Sequence, residues 1–194
     1  MIVFALAGWS GFFVMAVELL SGRVLAPSFG NSIYVWGAVI TVFMLALAVG
    51  YLVGGQLSVF SPSLRRLGIL LIVAGVATLP VVFFGNAALD WIFDRVADPR
   101  YGSLLASALL FFVPTAISGA VSPYAVRLLV SDLHGSGRSA GLLYFVSTFG
   151  SAAGTILTSF YLVLLFEVNT ILLGLMLVSV VLGISAVVWR EPAR

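Results

Sequence analysis

The sequence predicts an all-α, polytopic membrane protein with six transmembrane helices. Two observations carry this prediction. Hydrophobic residues make up 62% of the 194 residues and charged residues only 8%, with a mean hydropathy of +1.22, whereas soluble domains carry about 25% charged residues. Six apolar runs, each near the 20 residues that cross a bilayer, account for most of the chain. The composition excludes soluble enzymes, nucleic-acid-binding proteins and disordered chains.

Apolar runs define the predicted spans, and proline, glycine and arginine between the runs mark the connections. The six spans are predicted at about 2–25, 34–55, 67–84, 103–120, 139–166 and 169–189. They leave no room for a soluble domain. We therefore expect residues 1–194 to form a single membrane domain.

A short amphipathic helix is predicted over about 87–97, between the third and fourth spans. Trp91 suits a membrane interface. Apolar and acidic residues recur there at helical spacing on opposite sides, namely Leu89, Ile92, Phe93 and Val96 against Asp90, Asp94 and Asp98. The pattern predicts a helix lying on the outer membrane surface. Its acidic side is either a solvated polar face or a place where cations gather.

Arginine positions predict the orientation, because cytoplasmic segments are enriched in basic residues. With both termini in the cytoplasm, six arginines fall inside and three outside. The inner six are Arg65, Arg66, Arg127, Arg138, Arg190 and Arg194, and the outer three are Arg23, Arg95 and Arg100. We expect a multi-pass protein of the cell's inner (plasma) membrane, with Asp90 to Arg100 outside and Arg65 and His134 inside.

Residues that support catalysis are scarce. The chain has no cysteine and one histidine, His134, in a predicted cytoplasmic loop. Thiolate, zinc and serine–histidine chemistry are therefore not expected. No phosphate-binding or dinucleotide motif occurs. We expect no enzyme activity, no catalytic residue, no metal and no cofactor.

Two glycine pairs at matching places in the second and fifth spans suggest an inverted repeat. Gly50 and Gly54 form one G-xxx-G pair, and Gly150 and Gly154 form the other. Ser21-Gly22 near the end of the first span resembles Ser118-Gly119 near the end of the fourth. Three spans in each half would make the second half enter the membrane from the opposite side, as in many secondary transporters. The alternative is coincidence in a chain with 20 glycines.

Small residues also predict helix packing, because close backbone contact drives helix association in lipid. We expect Gly50, Gly54, Gly150 and Gly154 to be packing positions. Their partners are either helices of the same chain or those of a second copy. We predict a homodimer that packs through the glycine- and serine-bearing faces of the second or fifth span.

Glu18 is the one acidic residue inside a predicted span. An intramembrane carboxylate is costly and typically faces a bundle interior or a wet cavity. Arg23 is its candidate partner, although a spacing of five residues requires the helix to break after Gly22. The pair is interpreted either as a substrate-binding site or as a structural ion pair.

The fifth predicted span carries the most polar stripe in the chain. Ser147, Ser151 and Thr155 recur at i+4 steps. They form either a substrate-facing surface or a packed small-residue interface, because hydroxyls can also bond to their own helix. Pro114 is expected to kink the fourth span.

A family resemblance covers essentially the whole chain. The stretch from Glu18 to Gly37 (ELLSGRVLAPSFGNSIYVWG) resembles the membrane region of spermidine-synthase-like proteins. So do Ala48 to Gly55 (AVGYLVGG) and Ser147 to Thr155 (STFGSAAGT). In that family a major-facilitator-like membrane domain is fused to an aminopropyltransferase-type domain. The soluble synthase part has no counterpart among these 194 residues, so no catalytic residue is carried over.

The resemblance implies a six-span unit similar to half of a major-facilitator transporter. We expect a homodimeric half-transporter for a small, polyamine-like metabolite, with Glu18, Arg23, Ser147, Ser151 and Thr155 as substrate-binding residues. A non-catalytic membrane subunit that docks a separate enzyme through the loop from Arg127 to Arg138 is the main alternative. A substrate-capture subunit of an energy-coupling-factor importer is a third possibility. The expected partners are membrane lipid, a second copy and a small molecule, with no nucleic acid.

Overall fold

A computed structural model describes residues 1–60, 62–96, 98–130 and 136–189. Within these residues the chain is all-α and contains six helices long and apolar enough to cross a membrane, which confirms the predicted fold class. We call them spans 1 to 6: Ile2–Phe29, Ile33–Val59, Leu64–Phe93, Pro99–Leu129, Gly137–Leu165 and Val168–Val188. The predicted cytoplasmic residue His134 lies outside the described residues, as do Arg190 and Arg194.

Three spans contain an interruption. Span 3 consists of the helices Leu64–Val76 and Leu79–Phe93, joined by a turn. Span 4 consists of Pro99–Gly119 and Val121–Leu129. Span 5 includes the helix Ser136–Leu157, a π-helical turn over Thr158–Leu162, and a last turn over Val163–Leu165.

The separate amphipathic helix predicted over 87–97 is not found. Span 3 instead continues to Phe93, well beyond its predicted end at residue 84, and a turn follows. Leu89 and Ile92 are buried in the core, so the apolar side of the predicted pattern packs against other spans.

The most extensive contacts between spans join span 1 to span 5, span 2 to span 4, and span 3 to span 6. Gly50 lies against Ala116, and Gly54 lies against Ala120. A β-carbon added to Gly54 would lie only 2.6 Å from the Ala120 Cα. The residue numbers rise together along both spans, so spans 2 and 4 are parallel. Such close approach is possible only where side chains are absent.

Spans 1 and 5 pack in the same way. Gly150 lies against the backbone of Gly8, and a β-carbon on Gly154 would lie 2.9 Å from the Phe12 Cα. The four predicted packing glycines therefore contact other spans of the same chain. A homodimer built on those glycine faces is excluded, because spans 4 and 1 already occupy them.

Spans 3 and 6 are antiparallel. Gly68 lies against Gly183 and Val187, whereas Gly75 lies against Ser179 and Met176, so the numbers run in opposite directions. These three pairings agree with six spans that alternate in direction along the chain. We call the end with the N-terminus and the connection between spans 2 and 3 the terminal face, and the other end the opposite face.

Candidate functional site

The hydroxyl groups of span 5 are partly used within their own helix. The Ser151 hydroxyl donates to the Ser147 carbonyl at 3.1 Å, and the Thr155 hydroxyl donates to the Ser151 carbonyl at 3.0 Å. These bonds satisfy both hydroxyls in an apolar medium, as the packing interpretation requires. Ser151 also lies against Gly11 of span 1. The Thr155 hydroxyl is therefore satisfied within its own helix, whereas Ser147 and Ser151 also border a cavity.

That cavity has a volume of about 400 Å³ and lies in the half of the protein nearer the terminal face. Three spans build it. It is lined by Tyr51 of span 2, Ser122 and Pro123 of span 4, and Tyr144, Ser147, Thr148 and Ser151 of span 5. We call it the hydroxyl cavity. It is within the size range of pockets that hold small molecules, about 300–1,000 Å³.

The interruption in span 4 contributes to this cavity. Span 4 remains helical through Pro114 and is interrupted at Ala120 instead. Pro123 has no N–H to donate to the carbonyl four residues earlier, and its ring crowds that carbonyl, which favours the interruption one turn before it. Ser122 and Pro123 lie in the first turn of the second helix and face the space between spans 2 and 5.

Spans 2 and 5 are held on either side of this space by their glycine contacts. Gly50 fixes span 2 against span 4, and the next residue, Tyr51, borders the cavity. Gly150 fixes span 5 against span 1, and the cavity-lining residues Ser147 and Ser151 lie three residues before it and one residue after it. The glycine crossings therefore position the cavity-lining side chains.

The cavity offers hydrogen bonds but no formal charge, since none of its lining residues is acidic or basic other than tyrosine. Among the described residues, no hydrogen bond engages the hydroxyls of Tyr51, Ser122, Tyr144, Ser147 or Thr148. Each of these hydroxyls can donate and accept. The arrangement can bind a small polar molecule through hydrogen bonds and through the faces of two tyrosine rings.

Glu18 and Arg23 do not join this cavity. Glu18 is half-buried in span 1, and its backbone carbonyl accepts a hydrogen bond from the Ser21 hydroxyl at 2.6 Å. Within the described residues, its carboxylate forms no ion pair with Arg23 or with another group. Arg23 is exposed and lines a different cavity, which also contains Thr158 of span 5. Eleven residues of helix, about 16 Å, separate Thr158 from Ser147 along that span.

Tyr51, Ser122 and Pro123 were missed as candidate site residues. Tyr51 follows Gly50 in an otherwise apolar run, and its polar group was a signal that went unused. Pro123 was a second signal, because a proline near the end of a predicted span marks a place where the helix can open. Neither signal identifies the partner helix, which depends on how the spans pack.

No cluster of histidine, aspartate and glutamate that could hold a metal ion occurs among the residues that the structure describes. Comparison of the chain with protein-family models, with curated proteins and with solved structures finds no match.

Proposed function

We propose that this protein is a half-transporter that works as a homodimer, and that the hydroxyl cavity is part of its solute pathway. One observation carries the proposal: an open cavity lined by hydroxyl groups lies on the exposed side of spans 2 and 5, within membrane-spanning helices. The resemblance to major-facilitator-like domains remains a prediction and agrees with this assignment.

Polar side chains that face the hydrocarbon of a bilayer are energetically costly. Tyr144 is 56% exposed and Tyr51 is 49% exposed, and Thr148 is also exposed. Transfer of a hydroxyl group from water to an apolar medium without a hydrogen-bond partner costs about 2–7 kcal/mol, and hydrocarbon lies at the upper end of that range. Water or another protein surface must therefore cover these groups. A six-span half lacks the second wall that encloses a pathway, and a two-fold-related copy supplies one.

The predicted inverted repeat supports the same proposal. Gly8 on span 1 meets Gly150 on span 5, and Ala116 on span 4 meets Gly50 on span 2. If spans 1, 2 and 3 correspond to spans 4, 5 and 6, exchanging the two halves turns the first of these contacts into the second. The exchange also maps the Ile72–Gly183 contact between spans 3 and 6 onto the Gly68–Val187 contact. Such pairings are expected if the halves are related by a pseudo-two-fold axis in the membrane plane.

The same contacts revise the sequence alignment of the two halves. Gly119 lies against Leu47 of span 2, and Gly11 lies against Ser147 of span 5, so the repeat that we propose pairs Gly11 with Gly119. Gly22, the counterpart suggested by sequence, lies against the Trp36 side chain instead. The repeat that we propose therefore rests on the glycine crossings and not on the Ser-Gly motif.

The lining residues favour a small, polar solute. Hydroxyl oxygens and tyrosine faces accept an ammonium group through hydrogen bonds and cation–π contacts. Glu18 lies outside the cavity, so a cation gains no carboxylate there. We propose a metabolite with amino or hydroxyl groups, and the polyamine class implied by the family resemblance is the first to test.

Uptake of radiolabelled spermidine into proteoliposomes tests the function. Tyr144→Phe and Ser147→Ala each remove one hydroxyl from the cavity, and we expect the double variant to lower uptake about tenfold or more. The matched control is Tyr161→Phe with Ser185→Ala, which removes an exposed tyrosine hydroxyl and a serine hydroxyl outside the cavity. The control should transport like the unmodified protein.

Two results would contradict this proposal. The first is absence of uptake of spermidine and of a panel of amino and hydroxy metabolites by folded, reconstituted protein. The second is equal loss of uptake in the cavity variant and the control. The docking alternative depends on a loop whose residues 131–135 lie outside the described part of the chain, and no described contact favours it.

A further inference from the structure

A second cavity, lined by Arg23 and Thr158, lies near the opposite face between spans 1, 2 and 5. Its volume is about 230 Å³, below the range of about 300–1,000 Å³ for pockets that enclose whole metabolites. It has the size for a single small group. We call it the arginine pocket, and it is separate from the hydroxyl cavity.

Thr158 provides the first evidence that the arginine pocket is a binding site. Its side chain is fully buried, and its hydroxyl has no hydrogen-bond partner among the described residues. Other buried or half-buried hydroxyls in the spans, such as those of Ser118, Ser151 and Ser179, donate to the carbonyl one turn back. Buried polar groups without partners are rare in native proteins and require an explanation.

Among the described residues, the hydroxyl of Ser107 in span 4 is the other buried one without a partner, and Thr158 differs from it because a π-helical turn begins at Thr158. In the turn over Thr158–Leu162 the backbone N–H of Val163 bonds to the Thr158 carbonyl, five residues earlier. A π-helical turn adds a residue to the helix and shifts side-chain directions, and it often occurs at functional sites. Here it places Thr158 and Ser159 on the wall of the arginine pocket.

The other side of the pocket is shaped by two glycines. Gly30 has a φ of +78°, a left-handed conformation that favours glycine, and it turns the chain sharply at the end of span 1. Gly22 lies under the indole ring of Trp36, where a β-carbon would be 2.7 Å from the ring. Trp36 thereby reaches Asn31, and its Nε1 donates to Asn31 Oδ1 at 2.6 Å.

The polar groups of the pocket have the donor capacity that an oxyanion requires. Since Asn31 Oδ1 already accepts from Trp36, the Asn31 side chain offers its NH₂ group as a donor. The Arg23 guanidinium, without an ion pair in the described structure, adds five N–H donors in a planar fork. Ser159 adds an exposed hydroxyl donor, Thr158 adds a buried hydroxyl that has no partner among the described residues, and no acidic residue lines the pocket.

From these groups we infer that the arginine pocket binds a phosphate-type oxyanion. Guanidinium groups bind phosphate oxygens with paired, charge-assisted hydrogen bonds. Arg23 lies six residues before the end of span 1, about 9 Å along the helix. A long arginine side chain at that depth reaches the membrane–water boundary. The anion is therefore either the phosphate of a lipid headgroup or inorganic phosphate from water.

The test measures binding to delipidated, detergent-purified full-length protein in two arms. Titration calorimetry follows inorganic phosphate, and native mass spectrometry follows dioleoyl phosphatidylglycerol. Arg23→Gln removes the charge and Thr158→Val removes only the hydroxyl. Arg95→Gln is the control, because Arg95 is a second exposed arginine near the same face that stacks on Trp91 and does not line the pocket.

We expect one phosphate-bearing molecule per chain, with affinity lowered about tenfold or more by Arg23→Gln and severalfold by Thr158→Val. The control should keep the affinity of the unmodified protein. Saturation with phosphate alone identifies a free anion as the source, and binding of the phospholipid only identifies a headgroup. Either result supports the site.

Three results would overturn the inference. They are absence of saturable binding in both arms, equal weakening by Arg23→Gln and Arg95→Gln, and weakening by Arg23→Gln with no effect of Thr158→Val. The last result would show that the anion binds to Arg23 as a surface charge and not within the pocket. If Arg23→Gln does not fold, Arg23→Lys replaces it, because lysine keeps the charge and loses the planar fork.

Discussion

The Ser10 hydroxyl donates a hydrogen bond to the backbone carbonyl of Ser118 at 3.2 Å, and this bond joins spans 1 and 4 inside the bundle. Both residues are buried. Ser10 follows Gly8 by two positions, and Ser118 follows Ala116 by two, so each lies at the same distance from its span's glycine crossing. If the two halves form an inverted repeat, Ser10 and Ser118 are equivalent residues that meet on its axis.

The glycine crossings should be sensitive to a single added methyl group. Gly150→Ala places a β-carbon against the backbone of Gly8, which cannot move aside as a side chain can. We expect a loss of about 1–3 kcal/mol in stability, seen as a lower midpoint of thermal unfolding in detergent. Gly174→Ala is the matched control, because nothing lies within 4 Å of that added carbon. An equal effect of both substitutions would contradict the crossing.

The hydrogen bond between Trp9 and Ser179 ties span 1 to span 6. Trp9 Nε1 donates to Ser179 Oγ at 2.8 Å, and Ser179 Oγ donates in turn to the Leu175 carbonyl. Ser179→Ala leaves the indole N–H without its acceptor, which we expect to cost about 1–3 kcal/mol. In a double-mutant cycle, adding Trp9→Phe should then cost less than it does in the unmodified protein. Strict additivity in thermal unfolding would show that the bond has no energetic role.

Glu18→Gln tests the predicted role of Glu18 in substrate binding. The carboxylate does not line the hydroxyl cavity, so we expect the KM for a transported solute to remain within about twofold of its original value. Proteoliposome uptake measured over a range of solute concentrations gives this KM. A large rise in KM with unchanged folding would place Glu18 at the binding site after all.

The predicted orientation can be tested with single cysteines, since the chain has none of its own. Asp94→Cys introduces a thiol at an exposed position on the opposite face, and Pro62→Cys does so on the terminal face. Because of the arginine distribution we expect an impermeant maleimide to label only position 94 in intact cells. Labelling of position 62 alone would reverse the orientation, and labelling of both would refute the alternation of the six spans.

The six helices could be predicted because span length and hydropathy are properties of each segment alone. Span 3 shows the limit of this reasoning. The periodicity around Leu89 indicated an apolar helical side correctly, but the same pattern suits a surface helix and the packed end of a span. The choice depends on whether other helices reach Leu89 and Ile92, and a local pattern does not contain that information.

The site was predictable only in part for the same reason. Gly150 could be recognised as a packing position, yet its partner could have been a second copy or any of five other spans. Ser147 and Ser151 were identified from their spacing on one helix, whereas Tyr51 and Ser122 join them only through the crossing of spans 2 and 4. Residues brought together by packing of distant segments leave no periodic signal in sequence.

If the protein works as a homodimer, a second copy covers the hydroxyl cavity between spans 2 and 5, and disulfide crosslinking in native membranes detects that contact. Thr148→Cys places one thiol at the exposed edge of the cavity, and Val181→Cys places one on the exposed side of span 6. We predict an oxidant-dependent, disulfide-linked dimer for position 148 and none for position 181. Crosslinking at position 181 with none at position 148 or at a further variant, Tyr144→Cys, would contradict the homodimer proposal.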